Sequence, residues 1–172
     1  MLELKRNGLR RKWINTLLRI TSISPNGVYL KRGNHFGTAI RIGNGTRING
    51  KFRAKGIGVM SIGKYCAFGE NIRALTANHN LNTINLQVDL NKKLSVPFAD
   101  TARKNIAIGN NVWIGDNVII LPGVTIGDCA IVGAGAVVTK DIEPFSVNAG
   151  NPSRFLKYRH PSEEIRELLK GV

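Results

Sequence analysis

Cysteine is scarce in this chain of 172 residues: only Cys66 and Cys129 are present. Two cysteines make neither a disulfide framework nor a zinc ligand set, and a reduced interior is the expectation. No stretch approaches the ~20 consecutive apolar residues of a membrane span. Residues 3–21 lack the apolar core of about 7–15 residues and the following cleavage site of a secretion signal. A cytoplasmic location is therefore expected. Acidic residues are almost missing from the first half: residues 1–75 hold 15 Lys/Arg against 2 acids, whereas residues 105–150 hold 1 against 4. Such an excess suggests an anionic partner or surface. No recognition-helix pattern, zinc finger or aromatic RNA-binding motif accompanies it, so nucleic acid is not the expected partner.

What the chain does have is a period. Ile108, Ile114, Ile120, Ile126, Val132 and Val138 fall at every sixth position. Four places after each stands Val112, Val118, Val124, Ala130, Ala136 or Ile142, and glycine follows the lead residue at Gly109, Gly115, Gly127 and Gly133. A helix repeats its apolar face at about 3.6 residues and a half-buried strand at about 2. A period of six fits neither. Hexapeptide repeats are the signature of a parallel β-helix. The phase begins more raggedly at Leu30, Phe36, Ile42, Ile48 and Ala54, slips by two between Gly58 and Ser61, and resumes at Ile62, Cys66, Phe68 and Ile72. The slip predicts a bulged corner in one coil, and Cys66 is expected to point inward.

Around this repeat the chain divides into residues 1–24, 25–160 and 161–172. In residues 3–21, Leu9, Trp13, Leu17 and Ile20 lie on one helical face, with Lys5, Arg6, Arg10, Arg11, Lys12 and Arg19 around the rest. This amphipathic helix is expected to pack on the solenoid or on a neighbouring subunit; the alternative is an anionic membrane surface. Residues 74–105 have no hexad phase and no strong helix or strand pattern. An excursion of that length from a regular solenoid is usually functional, and it contains His79. Gly150-Asn151-Pro152 reads as a turn. Ser162 can cap a short last helix with Glu163 and Glu164 in its first turn and Lys170 near its end, closing the open end of the solenoid.

The runs Val112-Trp113-Ile114-Gly115, Ile120-Leu121-Pro122-Gly123-Val124-Thr125-Ile126-Gly127 and Gly133-Ala134-Gly135-Ala136-Val137-Val138-Thr139-Lys140-Asp141 resemble those of hexapeptide-repeat acyltransferases. The closing Gly150-Asn151-Pro152-Ser153-Arg154 does too. The similarity covers about residues 30–156 and is greatest to the branch of galactoside, maltose, xenobiotic and polysaccharide O-acetyltransferases. It implies an all-β fold, a left-handed parallel β-helix with three hexads per coil, carrying the N-terminal helix, the inserted loop and the short C-terminal helix. It also implies a homotrimer with acetyl-CoA in the groove between subunits and no metal. A left-handed crossover is an exception to the usual rule, so that handedness comes from the resemblance alone.

Transfer of acetyl from a thioester to a hydroxyl needs a base, and a histidine suits neutral pH. His79 stands where the similar enzymes place their catalytic histidine; read alone, it is a solvated loop residue. The resemblance implies that Trp113 lies beside the pantetheine arm, although an outward tryptophan also suits a subunit contact. It implies that Lys140 and Arg154 meet the CoA phosphates, which surface solvation would equally explain. Gly115, Gly133 and Ala134 offer close approach to the backbone, and Asn49 matches an asparagine that grips the sugar. The acceptor expected is a small molecule or glycan, with surface polysaccharide or its precursor in first place. The alternatives are a xenobiotic or amino-sugar N-acetyltransferase, a zinc-dependent carbonic anhydrase of the same fold, and a non-catalytic assembly module. The carbonic anhydrase needs three or four clustered ligands, and His35, His79 and His160 are 44 and 81 residues apart.

Overall fold

The inward positions of the hexads build three parallel sheets, and the chain visits them in rotation as the faces of a triangular prism. The computed structural model describes residues 1–19, 21–79, 88–95 and 102–159, together with residues 163 and 167. The first face carries Ala39–Ile42, Val59–Ile62, Ile106–Ile108 and Thr125–Ile126. The second carries Tyr29–Leu30, Arg47–Ile48, Ala67–Phe68, Trp113–Ile114, Ile131–Val132 and Ser146–Ala149, and the third His35–Phe36, Arg53–Lys55, Arg73–Leu75, Ile119–Ile120 and Val137–Val138. The architecture is the three-sided parallel β-helix that the hexads predict. Every lead residue from Leu30 to Val138 is buried, and so are the second positions Phe52, Cys66, Ile72, Val112, Val118 and Val124. Alternation of in and out along short strands leaves one continuous apolar interior.

Register dissects the sequence period. Ile108 pairs with Ile126 and Ile114 with Val132, steps of 18 residues or three hexads. Ile42 pairs with Ile62, a step of 20. The two extra residues fall at the corner of Gly56, Ile57 and Gly58, where Gly56 has φ +124°, so the slip is a bulged corner, set just before the expected stretch between Gly58 and Ser61, which is regular strand. Ile62 pairs with Ile108, 46 residues on, so this coil holds 28 more than a regular one. The excursion starts after Arg73–Leu75, which still sits on the third face, and its foot is an antiparallel pair of Ala77–Asn78 with Ala102–Arg103. Within it lies a helix the sequence pattern did not reveal, which we label α2 (Val88–Leu94), with Asp89 in its first turn and Lys92 and Lys93 in its last. Those charges complement the helix dipole.

The N-terminal segment differs from the helix expected over residues 3–21. Leu2–Leu4 is a strand, antiparallel to Ala39–Ile42, and the helix α1 is only Leu9–Leu17. (It precedes α2 in the chain.) Leu9 and Trp13 are exposed, and the buried face is Ile14, Asn15 and Leu18; Ile20 lies outside the described residues. The reason is the raw edge of the first coil. The Asn15 amide reads Phe36 as a neighbouring strand would: Nδ2 donates to the Phe36 carbonyl at 2.9 Å, and the Phe36 N–H donates to Oδ1 at 2.9 Å. Arg11 also donates to that carbonyl. A buried edge must have its hydrogen bonds completed, and this demand overrides the apolar periodicity of the helix. Leu2, Leu4, Ile14 and Leu18 join the solenoid's core.

At the far end Arg154–Tyr158 folds back antiparallel to Ser146–Ala149 and covers the second face's last edge. The expected C-terminal helix lies outside the described residues apart from Glu163 and Glu167, both helical. Among the described residues no helix is long and apolar enough to cross a membrane.

Replacing Asn15 by the near-isosteric leucine strands the Phe36 N–H in the core. An unsatisfied buried donor costs about 1–3 kcal/mol, so Asn15→Leu should lower the urea midpoint accordingly; an unchanged midpoint would refute the capping role.

Candidate active site

Trp113 sits one residue before an inward lead, so its ring must point out. It is 56% exposed on the second face. Strand register places Ala67 and Ile131 beside it, and Val147 beyond Ile131. An outward apolar stripe thus runs up this face with the tryptophan as its largest member. Leaving the face, each coil turns at the corner between second and third faces. Gly115 and then Gly133-Ala134 occupy this corner in successive coils. A Cβ on Gly115 would lie 2.6 Å from the Ala134 nitrogen, and one on Gly133 would lie 2.8 Å from the Ala149 Cβ. Both glycines are therefore required by coil stacking itself, whatever lies outside. Ala134 is exposed.

The turn Gly150-Asn151-Pro152 closes the same corner, with a cis Asn151–Pro152 peptide. Arg154 follows it, exposed, pairing with Ala149, its Nη1 donating to the Ser153 carbonyl at 3.2 Å. Asn49 lies at this corner too, in a coil nearer the N-terminus. Its N–H donates to the Phe68 carbonyl at 3.0 Å and it is exposed.

His79 and Lys140 lie elsewhere. His79 directly follows the first strand of the excursion's foot, just past the corner between third and first faces, and is exposed; its N–H donates to Asn78 Oδ1 at 3.0 Å. Lys140 is exposed at the same corner, two coils further on. In a triangular prism this corner is opposite the second face. Within one chain the apolar core therefore separates His79 from Trp113. The structure gathers Trp113, Gly115, Gly133, Ala134 and Arg154 on one side, with Asn49 lower on the same corner, and holds His79 and Lys140 on the other.

Neither cysteine offers a nucleophile. Cys66 is buried, its Sγ donates to the Gly109 carbonyl at 3.1 Å, and burial pushes its thiol up above the ordinary range. Cys129 is buried at a corner with φ +59° and accepts from the Asn111 amide at 3.5 Å.

A feature that the sequence reading did not single out is a cleft of about 390 Å³ on the third face, lined by Lys51, Arg53, Asn71, Arg73, Asn117 and Ile119. The available signal was positional. His35, Arg53 and Arg73 each precede a third-face lead residue, Phe36, Ala54 or Ala74, and register stacks all three. The two-residue slip between the last two hid the alignment.

Residues 105–140 match the family of bacterial transferase hexapeptides with six repeats. The chain is similar to a probable macrolide acetyltransferase of Lysinibacillus sphaericus, at 41% identity over 63% of this chain and 65% of that protein. It is also similar to the galactoside O-acetyltransferase of Escherichia coli K12, at 44% identity over 54% of this chain and 57% of that one. It thus spans less than two thirds of either relative's length. A galactoside acetyltransferase in complex with coenzyme A superposes with TM-score 0.73 at 27% identity, covering 91% of this chain and 82% of that one. A hexapeptide-repeat acetyltransferase of Vibrio cholerae in complex with acetyl-coenzyme A gives TM-score 0.63 at 28% identity, over 91% and 81%.

A buried thiol with a raised pKa carries little thiolate. Cys66 should resist iodoacetamide at pH 8 in the folded protein and react on unfolding; rapid alkylation of native Cys66 would contradict this placement.

Proposed function

We propose, from the transferase hexapeptides of residues 105–140 and the fold shared with coenzyme A-bound acetyltransferases, that this chain is an acetyl-CoA-dependent O-acetyltransferase. Its acceptor is a sugar hydroxyl, in a surface polysaccharide or its precursor. The observation that carries the reading is the exposed Trp113 on its apolar stripe, opposite the corner from which His79 projects. A site using both residues assembles only where the second face of one copy meets the His79 corner of another. The reading therefore includes a homotrimer, with the donor lying in each groove between subunits.

In that groove Trp113 packs against the pantetheine arm and acyl group, and the corner of Gly115, Gly133 and Ala134 lets the arm run close to the backbone. Lys140 and Arg154 neutralise the phosphates, for which charge-assisted bonds are the strong ones. Asn49 holds the sugar. The acceptor hydroxyl attacks the thioester carbonyl while His79 removes its proton. Collapse of the tetrahedral oxyanion breaks the C–S bond, and the imidazolium returns the proton to the departing thiolate. The buried cysteines support direct transfer without an acyl-enzyme.

Likeness to a probable macrolide acetyltransferase favours a second reading, a xenobiotic hydroxyl as acceptor. Thiol release against free sugars, nucleotide sugars, lipid-linked oligosaccharides and antibiotics separates the two. The exposed Leu9 and Trp13 of α1, beside Arg6, Arg10 and Lys12, also support a peripheral contact with an anionic membrane at its inner face. Each cation near such a surface contributes about 1 kcal/mol. Leu9→Ser with Trp13→Ser should then abolish sedimentation with phosphatidylserine vesicles; undiminished sedimentation refutes it.

A positioned base is worth typically ~10²–10⁴ in rate. His79→Ala should lose that factor in turnover while CoA binding and oligomeric state stay as in the native protein. Near-native turnover would overturn the mechanism.

A further inference from the structure

The cations of the basic half do not share one environment. Lys31 pairs with Glu70 at 2.8 Å, Arg41 pairs with Glu3 at 3.2 Å, and Arg47 lies over the Tyr29 ring at 5.0 Å. Arg53 and Arg73 on the third face, and Lys51 at its corner with the second, have no acidic partner among the described residues. Register sets His35 beside Arg53 and Arg53 beside Arg73. Strands in a sheet lie about 4.8 Å apart, so three basic side chains stand within about 10 Å on one outer surface. Like charges directly opposite on a ladder destabilise it. The local field is felt by the His35 imidazole, held below its ordinary value by partial burial and then by Arg11, Arg19 and Arg53.

This ladder is also concave. Arg53 lines both the 390 Å³ cleft with Lys51, Asn71 and Arg73 and a neighbouring one of about 340 Å³ that includes Arg19 and His35. Ligand sites typically enclose about 300–1,000 Å³, and guanidinium groups match oxyanions with paired donors. Arg73 is six residues before His79 on the same run of chain, and the third face ends at the corner from which His79 projects.

We propose that the third-face ladder of His35, Arg53 and Arg73, with Lys51, is an oxyanion-binding track that holds the acceptor, whose chemical class is accordingly an anionic glycan or glycan precursor. This rests on the acetyltransferase reading for the word acceptor, but the anion site itself does not depend on it. The closely spaced oxyanions can belong to the diphosphate of an activated sugar or to the carboxylates of an acidic oligosaccharide.

Calorimetric titration of the full chain with pyrophosphate, with oligogalacturonate and with neutral maltotriose tests the track without any acetyl transfer. At least one of the two anions should bind, and Arg53→Gln with Arg73→Gln should weaken it at least tenfold. Lys92→Gln with Lys93→Gln, which removes the same charge from α2, should leave affinity unchanged. The anion that binds identifies the source. Each single substitution, expected to weaken binding at least threefold, serves should the pair not fold. His79→Ala should bind the anion as the native chain does, so a failed mechanism and a failed track give different results. The proposal is overturned if neither anion binds, if maltotriose binds equally well, or if the α2 pair loses as much affinity. Tight binding of duplex DNA in place of both anions also overturns it.

Discussion

The hydrogen-bonded stacking of one coil on the next, at about 4.8 Å, is the constraint to which everything else conforms. It fixes the corners first. A Cβ on Gly43 would come within 2.5 Å of the Gly63 carbonyl, and one on Gly63 within 2.4 Å of the Gly109 oxygen, so these corners admit no side chain. It then uses most of the acids of the C-terminal coils. Asp116, Asp128 and Asp141 each accept a backbone N–H from the preceding coil, at 2.7, 2.6 and 2.7 Å. These carboxylates tie coil to coil. The negative charge of the C-terminal half is thus bound into corners, whereas the cations of the N-terminal half stand on outer faces.

A stack also has ends, and each end exposes unpaired backbone. At the N-terminal end three different devices meet the three faces: the strand Leu2–Leu4 pairs with the first, Ile23 bridges to Leu30 on the second, and Asn15 and Arg11 complete Phe36 on the third. Arg154–Tyr158 serves the second face at the other end. The direction of α1 follows from this role. Its polar Asn15 is buried and its Trp13 exposed because hydrogen bonds at the edge outweigh the apolar count.

Much of this was legible before any coordinates. The hexads marked most inward residues from Leu30 to Val138, the slip expected between Gly58 and Ser61 pointed to the enlarged corner at Gly56 to Gly58, and the loss of phase from residue 74 marked the excursion to within two residues. Period reports what repeats, and the misses are all where nothing does. Asn15 as an edge cap leaves no periodic trace. Helix α2 is too short and polar to show a face. The stacked Arg53 and Arg73 were hidden because register across an irregular coil is set by hydrogen bonding, not by counting. The candidate site shows the same division. Motif likeness selected His79 and Trp113, but only the three-sided topology reveals that one chain keeps them apart.

That separation is the centre of the proposed function, under which each active site is the joint property of two copies. Chains bearing His79→Ala and chains bearing Trp113→Ala can be denatured, mixed and reassembled together. In mixed assemblies some grooves combine an intact His79 from one copy with an intact Trp113 from its neighbour. The account predicts that acetyl transfer, nearly lost in either parent, returns to a substantial fraction of native turnover. Mixed assemblies no more active than the average of the two parents would contradict it.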